Sequence, residues 1–413
     1  QDDLIDATKP GDSCIQDKQF LLPEEKTSED CLSLSVFVKD VNVKSQSPRK
    51  VLVYIHGGGF FFGSSFGYNP GTLVVDHDVI VVTIQYRLGA LGFLTTKNGA
   101  SLGNFGLWDQ VLALRWVKSH IDAFGGDPKD ITIAGESAGG ASVSLLTLSP
   151  VTKGLFSKAY SASGVATTLF TQYKNSETFV LSLARSLNCW DKDASINDAS
   201  SGFEIIQCLR SRPASDFSSI QFFEGSRPIY VPWADGEFFT ASPSALIHDR
   251  QYLEGIGFYD RRYLFSVNNF EQSVLAPFLF MTRDFIYSNS SDVPEDLVKN
   301  ILGWYQARES SPSDVIRLVL DLTFVVPTLD ILNAIGRGGR TESWLLYFNH
   351  YPRYLSGDGK GMMHALDLSY WFDVEMDVVR RLLAPQASGD FGDEDVTLKK
   401  IFSSIVASFV KNG

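Results

Sequence analysis

A strand-like run that passes through a glycine-rich turn into a helix-like run restricts the fold of this chain more than any other feature. Residues 131–134 are apolar and mostly β-branched, Gly135-Glu136-Ser137-Ala138-Gly139 follows directly, and residues 140–148 suit a helix. Glycines on both sides of such a turn let the backbone reverse sharply and leave the central hydroxyl accessible. The pattern predicts a strand, a tight turn and a helix, with Ser137 at the turn.

Further apolar runs predict more strands and a helix. Residues 51–55 and 79–84 are strand-like, and apolar residues at helical spacing over 108–121 predict a helix that Gly125 and Pro128 bring to an end. Strand, helix and strand in succession imply parallel pairing. We therefore expect an α/β fold with a mostly parallel central sheet flanked by helices.

The rest of the chain fits the same arrangement. Residues 263–267 and 343–348 again have strand character, and residues 398–411 predict a final amphipathic helix. Residues 165–255 are less regular and are expected to form helices and loops over the sheet. Since no repeat, low-complexity tract or linker interrupts the sequence, we expect residues 1–413 to form a single domain.

The charge balance excludes some classes of partner. The 413 residues include 36 Lys and Arg against 48 Asp and Glu, a net charge of −12, without a basic cluster. Binding to phosphate backbones needs clustered cations, so no nucleic acid partner is expected. No apolar run approaches the ~18–20 residues that span a bilayer, so no transmembrane segment is expected within this chain. No CxxC pair is present, and neither a metal nor a cofactor is expected.

The four cysteines, Cys14, Cys31, Cys189 and Cys208, fall into two pairs that are local in sequence. An even number fits two disulfides in a secreted protein, and four buried free thiols are the alternative. Asn289 begins the sequence Asn-Ser-Ser, a candidate glycosylation site that favours the same extracellular setting.

A second glycine-rich segment follows the predicted strand 51–55. In His56-Gly57-Gly58-Gly59-Phe60 the missing side chains leave backbone N–H groups unshielded, so an oxyanion can reach them. The strand, sharp turn and helix around Ser137 are typical of a nucleophile elbow, so Ser137 is the expected nucleophile. With the residue after it, the expected oxyanion donors are Gly58, Gly59 and Ala138. Phosphate binding is the alternative, but neither a Lys-Ser/Thr pair nor a full dinucleotide fingerprint follows.

A serine nucleophile needs a base and a carboxylate that orients the base. Of the six histidines, His364 lies in a loop after the last predicted strand, and Glu271 follows the preceding strand after a short turn. The order Ser137, Glu271, His364 is the order of nucleophile, acid and base in α/β-hydrolases. A histidine base with the ordinary pKa of about 6.5 predicts activity that rises between pH ~6 and ~7.5.

Many short stretches together give the chain a clear resemblance to the type-B carboxylesterase/cholinesterase family of α/β-hydrolases. They run from near residue 6 to the C-terminus and include SEDCLSL (28–34), YIHGGGFF (54–61), YRLGALGF (86–93), GNFGL (103–107), FGGDP (124–128), GESAGG (135–140), VNNFEQS (267–273) and HALDLSY (364–370). The resemblance implies an α/β-hydrolase fold with a nucleophile elbow after a central strand. It also implies hydrolysis of a small-molecule carboxylic ester by Ser137, Glu271 and His364.

The same resemblance implies features outside the triad. It suggests the disulfides Cys14–Cys31 and Cys189–Cys208 and a secreted or membrane-anchored location. The family usually has a further N-terminal segment with edge strands and continues past the last helix, so both ends are expected to be missing from this sequence.

Two departures from the family pattern bear on function. The segment between Cys14 and Cys31 has no Trp, and Phe20 would bind a quaternary ammonium poorly, so a general carboxylesterase is expected rather than a cholinesterase. The family favours Asp-Glu-Gly around the acid, whereas Phe270 and Gln272 flank Glu271 here.

Two questions stay open at the level of sequence. Phe60 and Phe62 are candidates to line the acyl pocket, whereas Phe61 is equally well explained as core. A catalytically idle protein with an adhesion, binding or structural role is the alternative function, and a protein partner or an oligomer fits either case.

Overall fold

The computed structural model describes residues 7–40, 47–96, 98–168, 171, 177–190, 199–218, 223–224, 227–228, 230–271, 320–339, 341–355, 361–374, 376–383 and 387–413. Its strands are β1 (Ser13–Cys14), β2 (Thr27–Ser28), β3 (Leu34–Phe37), β4 (Arg49–Ile55), β5 (Ile80–Ile84), β6 (Gly126–Glu136), β7 (Lys158–Ala162), β8 (Phe223–Glu224), β9 (Arg227–Pro228), β10 (Arg262–Asn268) and β11 (Ser343–Phe348).

Helices connect and cover these strands. They are α1 (Gly71–Val75), α2 (Gly89–Phe93), α3 (Phe105–His120), α4 (Ala138–Leu148), α5 (Glu177–Ser186), α6 (Ala199–Arg210), α7 (Pro243–Leu246), α8 (Arg250–Gly255), α9 (Val326–Gly336), α10 (Leu368–Trp371), α11 (Met376–Val378) and α12 (Asp393–Asn412). Short 3-10 turns occur at Lys18–Phe20, Ile121–Phe124, Pro150–Thr152, Ala214–Phe217 and Phe258–Asp260, and π turns at Asp321–Val325 and Val379–Leu383.

Seven strands form the central sheet, in the order β11-β10-β7-β6-β4-β5-β3. All neighbours are parallel except β3, which runs antiparallel to β5 at one edge. The predicted α/β class with a mostly parallel sheet is therefore confirmed. Because parallel strands end at one edge of the sheet, the loops that follow β4, β6, β7, β10 and β11 are brought together there.

Both faces of the sheet are covered, which explains why β5 and β7 are buried at every position rather than at alternate ones. In β4, Val51, Val53 and Ile55 face a core that includes residues of α3 and α4. Leu52 and Tyr54 face a second core that includes residues of α12. Alternate residues of one strand thus serve two cores, and the sheet lies between two layers of helices.

Several predicted elements differ from the structure at their ends. α3 begins at Phe105 and α12 at Asp393, both earlier than predicted, and the final helix gains a first turn of three acidic residues. Acidic side chains stabilise a helix N-terminus, and they are invisible to a search for apolar spacing. β6 is longer than its apolar segment and begins at Gly126.

The two disulfides implied by the family resemblance are confirmed. Cys14 bonds to Cys31 and Cys189 to Cys208. Asn289, the candidate glycosylation site, lies outside the described residues and stays a prediction. Within the described ranges, none of the helices combines the length and apolarity needed to cross a bilayer.

Candidate active site

Ser137 occupies the turn between β6 and α4, as predicted. Its φ is 58°, a left-handed value that costs a non-glycine residue about 1–3 kcal/mol. The turn is tight because two residues packed against it, Gly139 and Gly164, have no side chains. A Cβ on Gly139 would lie 2.1 Å from the Ile55 carbonyl oxygen, and one on Gly164 would lie 2.2 Å from the Ser137 oxygen. Glycine at these two positions lets the strained turn form.

Ser137, His364 and Glu271 meet in one hydrogen-bonded row at the carboxyl edge of the sheet. The His364 Nε2 lies 2.9 Å from the Ser137 Oγ, and its Nδ1 lies 2.7 Å from the Glu271 Oε2. Since a carboxylate only accepts, Nδ1 carries a proton towards Glu271 and leaves Nε2 of the neutral ring as the acceptor for the serine hydroxyl. All three side chains are largely buried, at 9%, 4% and 2% relative exposure respectively.

The carboxylate of Glu271 is fixed by two further donors. Its Oε1 accepts a hydrogen bond of 2.6 Å from the Ser163 hydroxyl and one of 2.7 Å from the Asn268 backbone N–H. Glu271 therefore presents its other oxygen to His364, although Phe270 precedes it where the family favours aspartate. Hydrogen bonds to a carboxylate stabilise its charged form.

A second carboxyl group faces the imidazole nitrogen of His364 that also contacts Ser137. Glu136 lies next to Ser137 in sequence, and its Oε1 is 3.3 Å from the His364 Nε2. Burial raises the pKa of Glu136 above its usual range. Burial alone would lower the pKa of His364, but the carboxylates of Glu136 and Glu271 outweigh it and raise that pKa. These carboxylates therefore stabilise the positive charge that the ring carries once it has taken a proton.

Asp367 adds a third buried carboxyl near the histidine. It is fully buried, and its Oδ1 accepts a hydrogen bond of 3.1 Å from the Asn268 side chain, which links it to the loop that carries Glu271. Burial raises its pKa to about 6. Asp367 is thus a third acidic group that interacts with the imidazole, and when ionised it stabilises positive charge on the ring.

The glycine loop after β4 lies directly against the serine. A Cβ on Gly57 would be 2.7 Å from the Glu136 carbonyl oxygen and 3.2 Å from the Ser137 Cβ. Gly58 and Gly59 follow with φ values of 102° and 61°. In the described part of the chain, no oxygen accepts a hydrogen bond from the backbone N–H groups of Gly58, Gly59 or Ala138.

His56 and His350 have partners other than Ser137. His56 is buried, stacks on Tyr86, and its Nδ1 lies 2.9 Å from the Gly57 carbonyl oxygen, so that nitrogen donates. Burial lowers the pKa of His56 to about 4 and keeps the ring neutral. His350 bonds to Asp395. Of the six histidines, His364 is the one that the structure brings to Ser137.

The aromatic residues of the glycine loop have different surroundings. Phe60 is fully buried and packs edge-on against Phe93 in the core. Phe62 is partly exposed and stacks on Phe20 with ring centroids 4.4 Å apart, while Phe61 is 6% exposed. These positions favour Phe62 over Phe60 as a pocket residue, and they bring the first disulfide loop against the site.

Charged groups also line a cavity of about 610 Å³ at the opposite edge of the sheet, where β7 and β10 begin. Its Lys158 pairs with Asp130, and its Arg262 pairs with Glu342. Among the described residues, no group of His, Cys, Asp and Glu has the arrangement of a metal site. The chemistry-bearing residues that the sequence predicts lie at the other edge.

The sequence profile of the carboxylesterase family matches residues 1–413, the whole chain. The chain belongs to the carboxylesterase family. It is 35% identical to the fatty acyl-CoA hydrolase precursor, medium chain, of Anas platyrhynchos, over 99% of this chain and 74% of that protein. It is 36% identical to carboxylesterase 3 of Homo sapiens, over 84% of this chain and 62% of that protein. It is 30% identical to the bile salt-activated lipase of Homo sapiens, over 93% of this chain and 53% of that protein.

Membership of this family assigns the chain to the carboxylic ester hydrolases, which act on small-molecule esters. The chain spans between 53% and 74% of the length of these three relatives. Its two disulfides fit a secreted or lumenal esterase, because disulfides persist in oxidising compartments.

Sequence reasoning missed the residues that support the triad. Ser163 follows β7, and that strand was not predicted because its sequence, Lys-Ala-Tyr-Ser-Ala, has no β-branched residue. Glu136 was seen only as the variable position of the elbow motif. Since β7 itself has no local sequence signal, nothing in that segment could have identified Ser163 before the structure.

Proposed function

We propose that this chain hydrolyses carboxylic esters with Ser137 as nucleophile, His364 as general base and acid, and Glu271 as the carboxylate that orients the histidine. His364 Nε2 takes the hydroxyl proton while the Ser137 Oγ attacks the carbonyl carbon. The carbonyl electron pair moves to oxygen and forms a tetrahedral intermediate. The imidazolium then gives its proton to the alkoxide as the ester C–O bond breaks.

Deacylation repeats these steps with water. His364 removes a proton from water, the hydroxide attacks the acyl carbon, and the protonated histidine returns the proton to the Ser137 Oγ as the acid leaves. The N–H groups of Gly58, Gly59 and Ala138 are the proposed donors to the oxyanion in both halves. Each such donor is worth about 10²–10³ in kcat.

The observation that carries this proposal is the pair of contacts on one imidazole, 2.9 Å to the Ser137 Oγ and 2.7 Å to the Glu271 Oε2. Hydrogen-bond reach between nucleophile, base and orienting acid is the geometric signature of an activated serine. A catalytically idle protein would not need three buried polar groups in this row, so the contacts favour the enzyme.

The proposed substrates are uncharged small-molecule esters rather than choline esters. A cation-binding site needs an exposed aromatic face, and the loop closed by Cys14 and Cys31 has no Trp. Phe20, the one aromatic residue of that loop, stacks on Phe62 instead. Relatives named carboxylesterase and fatty acyl-CoA hydrolase support a general acyl pocket.

Steady-state kinetics test the substrate class. We expect hydrolysis of a p-nitrophenyl ester series from acetate to octanoate, and a loss of about 10⁴-fold or more in kcat for His364→Ala. Acetylthiocholine is compared with its neutral 3,3-dimethylbutyl thioester. A higher kcat/KM for the neutral thioester supports the general esterase, whereas strong preference for the cationic ester contradicts it.

We also infer an extracellular setting, with Asn289 as a glycosylation site, and one domain over residues 1–413. The two disulfides support the extracellular setting. One domain is supported by the seven-stranded sheet, whose strands lie between Leu34 and Phe348. Secretion from a eukaryotic host and a mobility shift on deglycosylation, absent in Asn289→Gln, test the first inference.

A further inference from the structure

Gln16, in the loop closed by the first disulfide, reaches across to the glycine loop beside the serine. It is 2% exposed. Its Nε2 donates to the Gly63 carbonyl oxygen at 2.8 Å, and its Oε1 accepts from the Gly63 backbone N–H at 2.8 Å. The same Nε2 lies 3.2 Å from the Cys14 carbonyl oxygen. One side-chain amide thus satisfies both backbone polar groups of Gly63, as a neighbouring strand would.

Gly63 packs against the start of the glycine loop. Its φ is 110°, and a Cβ there would lie 2.5 Å from the Gly57 carbonyl oxygen and 2.6 Å from the His56 Nδ1. Between these ends the N–H groups of Phe61 and Phe62 both donate to the Gly58 carbonyl oxygen, at 3.1 and 3.0 Å. The segment from Gly57 to Gly63 is therefore a closed turn whose far end is held by Gln16.

Glycine residues do not fix their own backbone direction. Gly58 and Gly59 have positive φ values, and glycine reaches several other regions at little cost. The direction of their N–H groups therefore depends on how the rest of the turn is held, above all at its two ends. One end continues into β4, where Ile55 pairs with Gly135. The other end is Gly63.

Two more side chains of the first disulfide loop, Glu25 and Phe20, contact the segment around Gly63. The Glu25 carboxylate accepts hydrogen bonds from the hydroxyls of Ser13, at 3.0 Å, and Ser64, at 3.2 Å. Phe20 stacks on Phe62. These contacts hold the first disulfide loop against the glycine loop, and of the three side chains Gln16 is the one that bonds to the backbone of the turn. The middle of the turn is also held, because the Gly89 N–H donates to the Phe60 carbonyl oxygen at 2.8 Å.

We propose that Gln16 is a positioning residue for the oxyanion donors of the glycine loop. It fixes Gly63, and through the closed turn it sets the direction of the Gly58 and Gly59 N–H groups. This inference rests on the proposed ester hydrolysis. Gln16 does not touch the reacting atoms. Because the donors that it positions bind an oxyanion more strongly than a neutral carbonyl oxygen, its loss affects the charged tetrahedral state far more than the uncharged bound ester.

The test compares Gln16→Met, which keeps the length of the side chain but not its hydrogen bonds, with Gln19→Met in the same loop. Gln19 is exposed and is the matched control. Rates are divided by the number of sites that react with a fluorophosphonate, so that only folded, competent molecules count. We expect kcat to fall about 10-fold to 100-fold for Gln16→Met with KM within threefold, and no change for Gln19→Met.

A trifluoromethyl ketone gives the readout that a merely structural role would not move. Ser137 adds to its carbonyl carbon, the electron pair moves to oxygen, and His364 keeps the serine proton, so the adduct presents an oxyanion to the proposed donors. The Ki of the trifluoromethyl ketone should rise in Gln16→Met by the same factor as kcat/KM falls. A second variant, Gln16→Glu, keeps an acceptor for the Gly63 N–H but places an oxygen against the carbonyl oxygens of Gly63 and Cys14, so its ketone Ki should also rise.

The outcomes separate this inference from the proposed function. A wild-type protein without esterase activity overturns the proposed function itself. An active wild type with Gln16 variants that keep kcat per labelled site and ketone Ki within twofold overturns the positioning role alone.

Discussion

Glu136 Oε1 lies 3.3 Å from His364 Nε2, the same nitrogen that faces the Ser137 hydroxyl. The Glu136 carboxylate therefore competes with the Ser137 hydroxyl for contact with this nitrogen. It also stabilises the imidazolium that forms when His364 takes the serine proton. Its presence raises the pKa of His364 although burial alone would lower it. In the free enzyme this delays the appearance of neutral base as pH rises.

Glu136→Gln should move the rise of kcat/KM to lower pH. The amide removes a negative charge next to the imidazolium, so the pKa of His364 falls and the neutral base appears earlier. For the wild type, the rise should lie above the ordinary histidine value of about 6.5. Profiles of kcat/KM from pH 5 to 10 measure both. Identical profiles for the two proteins would show that Glu136 is already neutral and has no influence.

Ser163→Ala should weaken catalysis without changing substrate affinity. It removes the 2.6 Å hydrogen bond to the Glu271 Oε1 and leaves the Asn268 N–H as the remaining donor on that oxygen. A hydrogen bond to a charged group is worth about 1.5–3 kcal/mol. Because part of this free energy keeps Glu271 in the position that orients His364, we expect kcat to fall about tenfold.

Ser161→Ala is the control for this experiment. Ser161 is buried in β7, the strand that ends next to Ser163. Steady-state hydrolysis of p-nitrophenyl butyrate compares the two variants. Equal kcat values would mean that Ser163 does not support the acid.

Asp395 connects the final helix to the segment that carries the proposed base. It is fully buried and accepts hydrogen bonds from the His350 ring at 2.7 Å, the Tyr370 hydroxyl at 2.7 Å, and the Gly392 and Arg353 N–H groups at 2.9 and 3.2 Å. Asp395→Ala leaves these donors without their acceptor, so the free energy of unfolding in urea should fall by about 3 kcal/mol or more.

This contribution should depend on pH. Burial would raise the pKa of Asp395, but its four donors outweigh burial and lower it. A lowered folded-state pKa gives stability that is present above the unfolded value of about 4 and is lost as pH falls through the folded value. The difference between wild type and Asp395→Ala should therefore shrink below pH ~4. Asp393→Ala, in the exposed first turn of α12, is the control. A difference that stays constant to pH 3 would contradict this account.

The sequence predicts those parts of the fold whose signal is local. Residues 51–55 and 343–348 are apolar runs long enough to be recognised as strands, and both are strands in the structure. The turn at Ser137 is recognisable because its glycines are required by close contacts with Ile55 and neighbouring backbone. Where a strand lacks β-branched residues, as β7 does, that local signal disappears.

The support around the site depends on contacts between distant segments. Gln16 bonds to Gly63, and Asn268 bonds to Asp367, through side chains that nothing in their local sequence singles out. Polar residues of this kind are usually exposed, so their burial follows from how the strands are ordered in the sheet rather than from their own neighbours.

The measurement that tests the central claim most directly is intact mass after treatment with a fluorophosphonate, for the wild type and Ser137→Ala. Attack by the Ser137 oxygen on phosphorus displaces fluoride and leaves a stable ester, so the account predicts one adduct on the wild type. It predicts none on the variant, and circular dichroism checks that the variant is folded. An unlabelled, folded wild type, or an adduct that persists on Ser137→Ala, would contradict the assignment of Ser137 as the nucleophile.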